Sequence, residues 1–158
     1  MTETTNRLDD VPFPALLRAA RQAYGSAIAA ALAGTGCDDM PRNGAFVVGA
    51  IARTGAPLSE IIKSLGVSKQ VAGQLVDTLV ARGYLERAVD PDDRRRLTIT
   101  LTARGGAAAA TIRSAVEAVD ATLLRSVGPE SVAHTRATLA ALAAIHRTSG
   151  QSDPGGAV

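Results

Sequence analysis

The chain has 158 residues, which gives room for one domain with a buried core. Apolar residues make up 46% of the chain and charged residues only 20%, and this balance excludes a protein that stays disordered. The formal net charge of +2 is too small to predict polyanion binding by itself, so such a function must depend on where the charges lie.

Cysteine usage and hydropathy exclude two further classes of protein. Cys37 is the single cysteine, so the chain cannot form an internal disulfide. The N-terminal residues lack the basic and then apolar pattern of a secretory signal, and no apolar run approaches the roughly 20 residues that span a bilayer. We therefore expect a cytoplasmic protein that does not contact a membrane.

The first part of the chain predicts three helices. Residues 1–11 are polar and are expected to form a flexible N-terminus. Apolar residues then recur at helical spacing from about Phe13 to Ala33, before a loop rich in Gly, Asp and Pro. Residues 44–53 fit a helix or a strand, but their length and their place between helices favour a helix. Residues 58–65 predict a third, short helix.

The tripeptide Gly66-Val67-Ser68 joins this short helix to another helix, as in a helix-turn-helix. Glycine permits the tight turn, and serine is a good N-cap for the second helix. The N-terminal part of such a second helix meets base edges in the major groove, and polar side chains there can bond to bases or phosphates. The candidates are Ser68, Lys69, Gln70 and Gln74. The helix pair alone leaves open a plain helical hairpin with a polar outer face.

The second helix also has an apolar stripe, which we predict to run through Val71, Leu75 and Leu79, flanked by Ala72, Val76 and Val80. Ala72 and Gly73 lack bulk, and we expect this to let the helix approach a duplex closely. Gly83 is predicted to end the helix.

Two strand-like segments, residues 84–89 and 97–101, follow the helix-turn-helix and predict a β-hairpin. The seven residues between them form a charged tip that contains Asp90, Asp92, Asp93, Arg94, Arg95 and Arg96. Residues 63–104 carry eight Lys or Arg and five acids, so the net charge of this segment is +3. A solvated turn with internal salt bridges is the alternative to a DNA-binding wing, but the preceding helix-turn-helix favours the wing.

Helices are also predicted after the hairpin. Thr102 is expected to cap a helix whose apolar residues repeat at spacings of three and four as far as the Gly-Pro-Glu at 128–130. A last helix follows, and residues 149–158 are expected to form a flexible tail.

Residues 58–105 resemble the MarR (multiple antibiotic resistance regulator) family of winged helix-turn-helix transcription factors. The most specific part is DPDDRRRLTITLTARG, residues 90–105, which is similar to the family's wing of Asp-Pro-x-Asp-Arg-Arg, a strand and Leu-Thr-x-x-Gly. The resemblance implies a mostly α fold with a small β-hairpin wing, in a single domain over residues 12–148. That domain would comprise a winged helix-turn-helix lobe, residues 40–101, and dimerisation helices at both ends, residues 12–33 and 102–148.

The resemblance further implies a homodimer that binds double-stranded pseudo-palindromic DNA. It predicts a sequence-specific transcriptional regulator, a repressor that a small aromatic effector releases from DNA, and no enzymatic activity. A winged-helix module that binds protein rather than DNA is the alternative, and the Lys, Gln and Arg side chains of the second helix and the wing argue against it.

Within the wing, Asp93, Arg94 and Arg95 match the family's Asp-Arg-Arg motif. The family implies that one arginine enters the minor groove while an Asp–Arg contact shapes the loop. Since Arg94, Arg95 and Arg96 are consecutive, the choice stays open. We favour Arg95 for the groove, with Arg94 paired to Asp92 or Asp93.

An effector site is implied between the DNA-binding lobe and the dimerisation helices. The candidate lining residues are Leu17, Tyr24, Phe46 and Ile112, and the alternative is that they are ordinary core residues. No cofactor or metal is expected, because three aspartates beside three arginines more readily satisfy those arginines than a cation. Whether Cys37 is redox-active stays open.

Overall fold

The computed structural model of the chain describes residues 10–89 and 97–149. The side chains of Leu97 and of residues 146–149 are outside this description. The described elements, in chain order, are α1 (Phe13–Leu32), α2 (Gly44–Thr54), α3 (Leu58–Ser64), α4 (Lys69–Ala81), β1 (Leu85–Val89), β2 (Leu97–Leu101) and α5 (Ala103–Ser149). They confirm the mostly α fold with a small β-hairpin, and residues 44–53 are helical as predicted.

The helix ends follow from local chemistry. Pro14 lies in the first turn of α1, where a missing N–H costs nothing. Ser68 is the N-cap of α4, and its hydroxyl accepts a hydrogen bond from the Val71 N–H at 3.3 Å. Gly83 has a φ of +70°, which allows the chain to turn out of α4 and into β1.

The core lies where α2, α4, β1 and the first part of α5 meet. Val47, Leu79 and Tyr84 are fully buried, and α1 contributes Leu32 near its C-terminal end. From α5, Ala109 and Ile112 are buried in the same cluster. Small residues on α5 such as Ala109 let it approach the other elements closely.

Within the predicted apolar stripe of α4, the flanking Ala72 is buried and Val71 is not. Ala72, Leu75 and Leu79 are buried, whereas Val71 is 47% exposed. Positions 72, 75 and 79 lie on one side of a helix, and position 71 is about a quarter turn away. The prediction that Ala72 opens the outer face to DNA is therefore wrong, although Gly73 is exposed.

The two strands pair antiparallel in the predicted hairpin. The register places Leu85 opposite Leu101 and Val89 opposite Leu97. Ile99 and Leu101 pack against the core, which fixes one face of the hairpin. The wing tip between the strands, residues 90–96, lies outside the described residues.

Thr102 and Gly105 attach α5 to the hairpin. The Thr102 hydroxyl accepts a hydrogen bond from the Gly105 N–H at 2.9 Å and donates one to the Gly83 carbonyl at 2.5 Å. A Cβ on Gly105 would clash with the carbonyl oxygen of Tyr84 and lie 3.0 Å from its carbonyl carbon. The Leu-Thr-x-x-Gly motif is thus a cap together with a close approach of two backbones.

The described residues divide into two compact units after Glu117. In the second unit α5 bends at Gly128, whose φ of 80° and ψ of 164° are not helical, and Pro129 follows. Arg136 and Asp120 form an ion pair of 3.3 Å there, although residues 16 apart in a straight helix are separated by about 24 Å. The two helical stretches of this unit therefore fold back on each other.

Candidate nucleic-acid interface

The four candidate DNA-binding residues of α4 lie together at its N-terminal end, and all are exposed: Ser68, Lys69, Gln70 and Gln74. Gln70 and Gln74 are four residues apart, so they share one face of the helix. The Ser68 hydroxyl is also engaged as the N-cap, which leaves the lysine and the glutamines as the polar groups that project from this end.

The preceding helix holds α4 in place. Ile61 of α3 is buried, and Ile62 and Leu65 pack against the same core. Gly66 has a φ of +64° in the turn between the helices, a conformation that glycine adopts without strain. The arrangement of α3, turn and α4 is the predicted helix-turn-helix.

The predicted wing residues Asp92, Asp93, Arg94, Arg95 and Arg96 lie outside the described residues. The base of the wing is described, and an ion pair joins it to α4. The Arg87 guanidinium donates to the Asp77 carboxylate at 2.7 Å, with both side chains at least half exposed. The alternation of β1 predicted that Arg87 belongs to a strand, but nothing in the spacing indicated its partner.

A buried tyrosine forms a second polar centre that the sequence analysis missed. The Tyr84 hydroxyl donates to the Asp39 carboxylate at 2.6 Å, and Arg104 donates to the same oxygen at 2.8 Å. The hydrogen bond from Tyr84 and the nearby Arg104 charge hold the pKa of Asp39 below its ordinary value, against a smaller opposing effect of burial. Burial, followed by the bond to Asp39, raises the pKa of Tyr84.

A cavity of about 1090 Å³ lies between α1, α2, the start of α5 and residues 40–43. Tyr24, Phe46 and Ile112 line it, together with the apolar side chains of Ile28 and Leu32. Leu17 does not line the cavity. The first residue of α1 that does is Arg21, which lies one helical turn beyond Leu17.

The cavity carries more positive than negative charge. Four arginines and one glutamate line it, a formal net charge of +3: Arg21, Arg42, Arg53, Arg113 and Glu117. Arg21 donates to the Asn43 side chain at 3.1 Å, and Arg113 lies 4.0 Å from Glu117. This combination of an apolar floor and cationic side chains suits a small aromatic anion.

Three further observations concern metal ligands, membrane spans and the cysteine. In the part of the chain that the structure describes, no three His, Cys, Asp or Glu side chains come together as metal ligands would. None of the described helices has the length and hydropathy of a membrane span. Cys37 is a buried free thiol.

Comparison with known proteins gives a match to a family model over part of the chain and a likeness in fold to solved structures. Residues 38–96 match the model of the MarR family. The chain is 20% identical to MepR of S. aureus in a structure with DNA, with a TM-score of 0.67, covering 85% of this chain and 98% of that one. It is 24% identical to MarR, with a TM-score of 0.69 and coverage of 90% and 96%.

A third solved structure is the transcriptional repressor CouR bound to a 23-mer DNA duplex. Its identity to this chain is 21% and the TM-score is 0.64, with 90% of this chain and 99% of that chain covered. At these identities the likenesses show the fold. No curated protein matches the sequence significantly.

Proposed function

We propose that the chain is a member of the MarR family of winged helix-turn-helix proteins and that it is a non-enzymatic, DNA-binding transcriptional regulator. The observation that carries this proposal is the N-terminal end of α4, where Lys69, Gln70 and Gln74 are exposed while Ala72 and Leu75 bury the opposite face. Glutamine can bond to adenine through two hydrogen bonds, and lysine can reach guanine or a phosphate.

The position of the wing supports the same proposal. An α4 that enters the major groove would place the adjacent β1–β2 hairpin near the backbone and the minor groove. The tip adds three arginines, which a narrow and electronegative minor groove attracts. MepR and CouR, which share the fold, have been solved as DNA complexes. The alternative, a protein-binding module, has in its favour the exposed Val71 on α4.

We propose that the protein acts as a homodimer through its terminal helices. Apolar side chains on α1 are exposed, with Phe13 at 64%. The second unit exposes a larger set: Leu123, Leu124, Val127, Leu139 and Leu142. Burial of such residues against a second copy would remove apolar area from water and would present two lobes to a pseudo-palindrome.

We also propose that the regulator is a repressor and that a small aromatic anion in the cavity releases it from DNA. An effector acts by binding better to one arrangement of the lobes than to another. If the preferred arrangement does not match successive major grooves, about 34–36 Å apart, DNA affinity falls. The arginines that line the cavity favour an anionic over a neutral effector.

Fluorescence anisotropy over a salt series tests the DNA-binding proposal. The probe is a duplex that the wild-type protein enriches from a random-sequence pool. We expect the logarithm of the binding constant to fall with the logarithm of salt concentration, with a slope of roughly −0.9 per phosphate neutralised. Binding without sequence preference and without salt dependence would refute the proposal.

Arginine substitutions in the wing refine the same experiment. Arg95→Ala should cost about 1–3 kcal/mol of DNA affinity while the protein stays folded. Arg94→Ala is the matched control, because it removes the same charge from the neighbouring position. If Arg95→Ala leaves DNA affinity unchanged and Arg94→Ala lowers it, then Arg94 rather than Arg95 is the arginine that enters the minor groove.

A pair of probes tests the effector. Benzoate and benzamide have nearly the same shape and differ in charge. Benzoate should raise the melting temperature and weaken binding to the selected duplex, whereas benzamide should do neither at the same concentration. Arg53→Gln should reduce the benzoate response, since it removes one of the cavity charges. Equal responses to the two compounds would contradict the preference for anions.

A further inference from the structure

Three segments of the chain meet at Asp39, Tyr84 and Arg104, which we call the tyrosine cluster. Asp39 lies in the loop between α1 and α2, Tyr84 directly precedes β1, and Arg104 lies in the first turn of α5. The Tyr84 ring is completely buried, and its hydroxyl donates to the Asp39 carboxylate at 2.6 Å. A buried hydroxyl that loses its partner is costly, so this bond fixes the loop against the start of the wing.

The Arg104 guanidinium ties the same segments together. It donates to the carbonyl of Gly36 at 2.5 Å, to the Asp39 carboxylate at 2.8 Å and to the carbonyl of Arg82. Its centre also lies 4.3 Å from the centroid of the Tyr84 ring. Since a guanidinium offers five donors in a fixed plane, one side chain can hold all of these positions at once.

The positions that the cluster fixes belong to both DNA-binding elements. Arg82 is the C-cap of α4, and its own side chain donates to the carbonyl of Asp39. Tyr84 directly precedes β1, the first strand of the wing. The angle between α4 and the wing therefore depends on how residues 82–84 are held. The tyrosine cluster ties them to the α1–α2 loop and to the first turn of α5, beside the hydrogen bond from Thr102 to the Gly83 carbonyl.

We propose that Asp39, Tyr84 and Arg104 are positioning residues for DNA binding. Through their bonds to one another and to the carbonyls of Gly36 and Arg82, they hold the end of α4 and the start of the wing in the mutual orientation that a duplex requires. This inference rests on the proposed DNA-binding function. It assigns a role to the α1–α2 loop, where Asp39 acts through Tyr84 and Arg104 rather than by contact with DNA.

Two adjacent aspartates allow a test in which simple electrostatics and positioning predict opposite results. Asp39→Asn and Asp38→Asn each remove one negative charge, which by itself raises affinity for a polyanion. Asp38 accepts a hydrogen bond from the Gly34 N–H at 2.9 Å, within its own loop. Asp39→Asn should weaken binding to the selected duplex roughly 2- to 30-fold, whereas Asp38→Asn should leave binding equal or tighter.

Two further variants separate positioning from charge. Tyr84→Phe removes only the hydroxyl and should weaken binding in the same direction as Asp39→Asn, with no change in net charge. Arg104→Lys keeps the charge and loses the planar donors, so it should also weaken binding. A direct phosphate contact by Arg104 would instead survive this change in large part, and that result would contradict the positioning role.

Thermal melts test whether each variant is folded, and two other readouts are specific to positioning. Affinity for the selected duplex should fall more than affinity for an unrelated duplex, and the backbone amides of β1 should exchange hydrogen faster without DNA. If Asp39→Asn fails to fold, Tyr84→Phe decides alone.

The possible failures are distinguishable. A wild-type protein that enriches no duplex refutes the proposed function, and the inference with it. Wild-type binding together with equal behaviour of Asp39→Asn and Asp38→Asn refutes the inference alone.

Discussion

At the scale of single residues, Gly105 allows the backbone at the start of α5 to lie directly against the backbone of Tyr84, at the start of the wing. Because a Cβ there would clash with the Tyr84 carbonyl, the chain must shift if residue 105 is anything but glycine. We expect Gly105→Ala to lower the free energy of unfolding by about 1–3 kcal/mol, since the obstacle is backbone and cannot rotate away. Urea denaturation followed by circular dichroism measures this change.

Gly106 supplies the control, because it is the next residue of the same helix and a Cβ there meets no atom within 4 Å. Gly106→Ala should raise the free energy of unfolding by about 0.5–1 kcal/mol, as alanine is the better helix former. Equal effects of the two substitutions would show that the contact with Tyr84 does not determine the cost.

The lowered pKa of Asp39 predicts that the stability of the folded protein changes with pH in the acid range. Its pKa is lowered in the folded protein, first by the Tyr84 hydroxyl and also by Arg104. The stabilisation is therefore present above the ordinary aspartate pKa of about 3.9 and is lost as the pH falls through the lower folded value. Wild type should be more stable than Asp39→Asn at neutral pH, and the difference should shrink below about pH 4. Melting temperatures over a pH series measure it, and a constant difference would contradict the prediction.

At the scale of elements, local patterns predicted most of the fold. The apolar spacing of α1, the Gly66–Ser68 turn and the alternation of β2 each depend on neighbours in sequence, and each was confirmed. Gly128 and Pro129 were predicted to separate two helices, and α5 bends there. Such features can be predicted because turns and caps are set within a few residues.

The sequence-based predictions were wrong or incomplete where contacts between segments far apart in sequence determine the structure. Val71 is exposed although it lies in the predicted stripe of α4, because Val71 and Ala72 are both apolar and the spacing alone does not select which of them is buried. In the tyrosine cluster, Asp39 is 45 residues from Tyr84 and 65 residues from Arg104 in the sequence. The periodicity of apolar residues cannot predict contacts over such separations. Asp39 is exposed, as a polar loop residue is expected to be, and nothing in the sequence indicated that a buried tyrosine bonds to it.

At the scale of the whole molecule, the exposed apolar residues of the second unit require an explanation that one copy does not supply. Leu139 and Leu142 are about 40% exposed on neighbouring turns of α5. A contiguous apolar surface of this kind is typical of a protein interface. In the proposed dimer it also determines DNA affinity, since two linked lobes bind a pseudo-palindrome far more tightly than one lobe binds half of it.

Leu142→Glu should therefore convert the dimer to a monomer, because a carboxylate buried in an apolar interface has no partner. Affinity for the selected duplex should fall roughly 100-fold or more with the loss of the second lobe, while the isolated lobe keeps its salt dependence. Ala137→Glu is the matched control, since residue 137 is exposed on the side of the helix opposite Leu139 and Leu142. Sedimentation equilibrium and anisotropy on the same samples measure both effects. A Leu142→Glu protein that remains a dimer would place the interface elsewhere, and a monomer that binds DNA as tightly as wild type would show that one lobe is sufficient.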